Sequence, residues 1–128
     1  MIKAVIEKLI KTEKRISKNK GDFNFFGILK NSKLEDSWDI IISADWFSET
    51  KQKDLIYIIE EIKKDLKNED LRLFTKLFLM KPEEDLIKKL NILIETQHEM
   101  VEMIDAQMNE IKLGHIYIIT SKKQPQLT

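Results

Sequence analysis

The chain has no cysteine. That absence excludes a disulfide framework, a thiol nucleophile and thiolate-held zinc or iron–sulfur centres. Glycine and proline are scarce, at three and two residues. Gly21, Gly27 and Gly114 lack the neighbours of a phosphate-binding loop, so nucleotide binding through such a loop is excluded. No apolar run approaches the ~20 residues of a membrane span, and charges interrupt residues 1–7 before a signal-peptide core forms. The expectation is a soluble, cytoplasmic bacterial protein without a membrane partner. Net charge is lacking too, with 22 basic and 22 acidic side chains, so no global field draws in nucleic acid. Arg15 and Arg72 are the only arginines beside 20 lysines, which weakens any case for bidentate phosphate or base contacts. That bias, together with 20 isoleucines, reads as genome composition.

At 128 residues the chain suits one domain with its own core. The organising stretch is Trp38-Asp39-Ile40-Ile41-Ile42-Ser43-Ala44-Asp45-Trp46-Phe47, an apolar run between the only two tryptophans. Three consecutive isoleucines do not suit a strand with one wet face, so this strand is expected to be covered on both sides. Before it, Ile2, Val5, Ile6, Leu9, Ile10 and Ile16 mark an amphipathic helix over residues 2–18, ending at Gly21. Residues 23–30 read as an aromatic strand with a bulge or close approach at Gly27. This strand and the Trp38 strand form a hairpin joined by residues 31–37.

Leu55, Ile58, Ile59, Ile62 and Leu66 predict a second helix, capped by Asp45 or Ser48. Residues 71–80 predict a second nearly buried strand, with Leu73, Leu77 and Leu79 on one face and Phe74, Phe78 and Met80 on the other. Strand, helix and strand make a βαβ crossover. A further helix starts near Pro82. Beyond Glu95 two readings compete: one long helix to Lys112, or strands over about 100–107 and 111–120. The β-prone 115–120 segment favours the strands. The fold class is therefore α+β, a mixed sheet of about five strands with about three helices and at least one βαβ crossover. Residues 1–121 form a single domain and 122–128 a flexible C-terminal tail.

The segment Trp38–Ala44, with Trp46 and the closing Tyr117-Ile118-Ile119-Thr120-Ser121-Lys122, resembles a group of small bacterial α+β proteins with no known activity. The resemblance spans residues 26–122, implies strands rather than the long helix after Glu95, and transfers no functional residues. The Asp45 position is not acidic in that group, which stands against a catalytic role here.

Candidate sites are few. Ligands of parallel αβ units bind beyond the strand C-termini, which here gathers Ser43, Asp45, Trp46 and Lys81. An acid, a lysine and a helix start are suited to an anion or a metal-bound phosphate. The rival reading makes Asp45 a cap and Trp46 a core seal. No catalytic set converges, the acid-and-lysine spacing does not match restriction-type nucleases, and His98 and His115 lack a third metal ligand, so no cofactor and no metal are expected. Residues 1–20 carry a net charge of +5 and residues 83–110 a net charge of −6. Lys8, Lys11 and Lys14 are the candidate nucleic-acid contacts, with Phe23–Phe26 as a stacking surface only if those rings are exposed. The leading expectation is a non-catalytic protein-interaction subunit that self-associates. Alternatives are a weak nucleic-acid binder and an enzyme on a phosphate-containing substrate.

Overall fold

The computed structural model describes residues 2–30, 37–108 and 111–122. Helix α1 (Ile2–Lys20) buries Val5, Ile6, Leu9 and Ile16, but its buried stripe also contains Thr12, Glu13 and Ser17. It stops at Gly21, whose φ of +120° turns the chain out while its N–H donates to the Ser17 carbonyl at 2.9 Å. Strands β1 (Phe25–Lys30) and β2 (Trp38–Ser43) then pair antiparallel, as the hairpin reading requires. Their connection, residues 31–36, lies outside the described residues.

Next come α2 (Gln52–Asp65), one-turn α3 (Asn68–Leu71), β3 (Phe74–Met80), α4 (Asp85–Leu93), β4 (Val101–Met108) and β5 (Ile111–Ser121). The sheet order is β3-β2-β1-β5-β4. Only β2 and β3 run parallel, and α2 with α3 crosses between them. The α+β class, the mixed five-stranded sheet and the βαβ crossover all hold, with four helices because of the short α3.

Each face of the sheet has its own core. Ile40 and Ile42 pack with α1 and α2 in a cluster that includes Leu9, Ile58, Ile62, Tyr117 and Ile119. Ile41 packs with Ile87 and Leu90 of α4, together with Phe25, Ile116 and Ile118. All three consecutive isoleucines are at most 6% exposed, so the strand between the tryptophans is dry on both sides. Each such side chain stabilises the fold by roughly 2–3 kcal/mol.

Several local expectations give way. The residue preceding α2 is Lys51, in the left-handed region at φ 52°, and neither Asp45 nor Ser48 caps that helix. Instead Asp54, in the first turn, accepts bonds from the Ser48 N–H and hydroxyl at 2.6 and 2.9 Å. β3 is a sheet edge and Phe78 is 42% exposed, so this strand is not the nearly buried one expected. A register shift beside Trp38 also puts Phe74 on the α1/α2 face with Leu77 and Leu79, because the extra residue turns the strand by one position. After Glu95 the favoured reading holds, with strands β4 and β5 in place of the long helix. Lys122 is anchored, its N–H bonded to the Asn24 carbonyl at 2.9 Å. The rest of the expected tail, 123–128, lies outside the described residues.

Candidate functional site

The start of β1 and the ends of β2 and β5 meet at one rim, because Phe25 faces Ser43 on one side and Ser121 on the other. A cleft of about 450 Å³ opens there, lined by Lys20, Gly21, Asp22, Asn24, Asp45, Trp46 and Lys122. The Trp46 indole N–H donates to the Gly21 carbonyl at 3.0 Å, and its ring packs edge-on to Phe47 and Tyr57. Lys122 Nζ lies 2.7 Å from Asp22 Oδ2. Its hydrogen bond holds the Asp22 carboxyl below the usual range, helped by the charges of Lys122 and His98.

Behind this rim lies a buried carboxylate. Glu13 is wholly buried, a placement that costs several kcal/mol of desolvation unless every lone pair is engaged. His98 Nδ1 lies 2.5 Å from Glu13 Oε1, while the Ser17 and Thr120 hydroxyls donate to Oε2 at 3.0 and 3.2 Å. Thr120 Oγ1 also accepts the His98 N–H at 3.2 Å. His98 itself adopts φ +57°, a conformation that costs a non-glycine residue about 1 kcal/mol or more. Backbone and ring are thus both tied to one Glu13–Thr120 network.

A second histidine cluster sits on β4 and β5. Glu102 Oε2 accepts from Tyr117 OH at 3.0 Å and contacts His115 Nε2 at 2.7 Å, while Lys3 lies 3.3 Å from Oε1. Trp38 packs on the rings of both His115 and Tyr117. Burial, then the bond to Glu102, pushes the Tyr117 phenol up to about 12.

Of the sequence candidates, Asp45 and Trp46 share the cleft. Ser43 is wholly buried opposite Phe25, its hydroxyl without a partner among the described residues, and Lys81 does not line the cleft. The four are not gathered into one site. Lys8 pairs with Asp70 at 2.8 Å, which leaves Lys11 and Lys14 exposed on α1. Phe23, Phe25 and Phe26 are core, so they offer no stacking surface.

Sequence reasoning missed the Glu13–His98 pair and the roles of Asp22 and Lys122. One signal was legible: Thr12, Glu13 and Ser17 fall on the apolar stripe of α1. The partner was not, since His98 is 85 residues away. Among the described residues no group of three or more potential ligands is placed to hold a metal, and no helix is long and apolar enough to cross a membrane.

The two sheet edges differ. β4 carries Glu102 and Asp105, has Asp105 at φ +55° and shifts register twice against β5, all features that discourage strand addition. β3 has Lys76 and one register shift near its start, then runs Leu77-Phe78-Leu79-Met80 without a charge. Lys51 Nζ reaches the Leu79 carbonyl at 3.2 Å. Comparison with known proteins returned no matching family model, no matching curated protein and no matching solved structure.

Proposed function

We propose that this protein is a non-catalytic interaction subunit that associates with a second copy of itself through the C-terminal half of β3. The observation that carries the reading is the uncharged Leu77–Met80 edge, with Phe78 42% exposed, in a fold whose opposite edge is blunted. An apolar edge of this kind favours addition of another strand, and identical edges meet about a two-fold axis. The alternative driving force, a basic α1 meeting acidic segments of a neighbour, is weakened because Lys3, Lys8 and Arg15 already pair with Glu102, Asp70, Glu61 and Asp65 within the chain.

Light scattering over a concentration series in low and high salt tests the reading. A dimer that persists in high salt and dissociates at least tenfold more readily in Phe78→Ser is expected, since burying one phenyl ring is worth roughly 1.5–3 kcal/mol. A monomer at every concentration, or a dimer indifferent to Phe78→Ser, would remove it.

A further inference from the structure

We propose that the rim of the cleft is a binding site for a small oxyanion, phosphate or carboxylate, held between Lys122 and His98 and competing with the chain's own Asp22. The ring of His98 is positioned from behind. Its Nδ1 is committed to the buried Glu13, whose second oxygen is filled by Ser17 and Thr120, and its backbone N–H is held by Thr120. That leaves Nε2 as the ring nitrogen outside the Glu13 bond, on a side chain 28% exposed and close enough to the rim to act on the Asp22 carboxyl.

A carboxylate buried behind an imidazole fixes the ring's tautomer and orientation, an arrangement that pre-organises the outer nitrogen for hydrogen bonding. Lys122 supplies the second donor. Its main chain is tied to Asn24, so the ammonium pivots from a fixed base. One oxyanion is already held here: the Asp22 carboxyl is kept low first by the Lys122 bond, then by the electrostatic influence of Lys122 and His98 and a bond from the Gln97 side chain. Asp22 follows the left-handed Gly21 and is half exposed, so a ligand oxygen replaces it without opening the core. The cleft beyond, walled by Trp46 and with Lys20 on its border, has room for the remainder of a small molecule. This inference is independent of self-association, because neither Lys122 nor His98 lies on β3.

The test is an NMR titration of the full chain, following backbone amides and the His98 ring, with sodium phosphate, sodium acetate and sodium chloride at matched ionic strength. Saturable shifts at Gly21, His98 and Lys122 with phosphate or acetate, absent with chloride, are expected. Phosphate alone saturating identifies a phosphoryl ligand; acetate alone saturating identifies a carboxylate.

Asp22→Asn should tighten binding about two- to fivefold, the range of an exposed ion pair, whereas Glu69→Gln, an equal charge change at an exposed site in α3, before the start of β3 and so at the opposite end of the sheet, should not. Lys122→Ala, a partly exposed position outside both core clusters, should weaken binding at least tenfold. No saturable shift in either the native chain or Asp22→Asn, equal shifts with chloride, or unchanged binding in Lys122→Ala would overturn the proposal.

Discussion

At Gly27 a side chain as small as methyl has nowhere to go. A Cβ there would stand 2.6 and 2.7 Å from two atoms of the wholly buried Phe25 ring, in the middle of the sheet. Gly27→Ala should therefore cost about 1–3 kcal/mol in urea denaturation, the range for overpacking a core. At Glu13 the risk is an unpaired charge rather than volume. His98→Ala should cost about 2–3 kcal/mol by the same measurement, below the figure for a fully buried pair because the imidazole is partly exposed. Tyr117 supplies a test at high pH. Its folded phenol is pushed up to about 12 against an ordinary value near 10, so its contribution to stability is complete below pH 10 and lost as pH climbs from about 10 to about 12. Absorbance at 295 nm should show its ionisation near pH 12, moving lower in Glu102→Gln while burial keeps it above 10. Gly27 was legible from sequence as a bulge or a close approach; the register against β5 shifts between Phe26 and Gly27, and the Phe25 ring stands where a Cβ would be. Glu13 was visible only as an anomaly on a stripe, since its meaning depends on a residue brought in by the sheet.

Between elements, charge networks matter most where α1 crosses α2. Arg15 Nη2 lies 2.9 Å from Asp65 Oδ2 and its Nε 2.9 Å from Glu61 Oε1, while Thr12 donates to Asp65 at 2.6 Å. Lys64 and then Arg15 hold Glu61 below the usual carboxylate range. Burial pushes Asp65 up, but the bonds from Arg15 and Thr12 outweigh it and leave it lowered. Depressed folded values mean stability that is present above about pH 4 and lost as pH falls through them. Arg15→Ala should cost about 2 kcal/mol at pH 7, and the deficit should shrink below about pH 4 as both carboxyls protonate; paired urea titrations at pH 7 and pH 3 check it. The strands after Glu95 were legible because 115–120 is so β-prone. Misreading β3 as nearly buried had a physical cause: an apolar run looks the same whether it lies inside a sheet or at its edge.

On the scale of the molecule, β1 is the hub, pairing with β2 on one side and β5 on the other. Amides at the centre of β1, β2 and β5, such as Ile28, Ile41 and Ile118, should exchange hydrogen only through global unfolding, and those of the one-turn α3 first. Mass-resolved exchange would show it, and faster exchange at Ile118 than at α3 would contradict the layered arrangement. The layers were legible from Ile40–Ile42 alone. Of the rim, Asp45 and Trp46 were legible, but Asp22 and Lys122 were not, because each is unremarkable in its own neighbourhood and they meet only through the fold.

The same ordering of strands bears on how the protein is made. β5 lies between β1 and β4, so a nascent chain from which β5 has not yet emerged holds the central hairpin with one flank open and the α4-side core without Ile116 and Ile118. The domain therefore closes only once β5 has been translated, and until then an isoleucine-rich surface stands open.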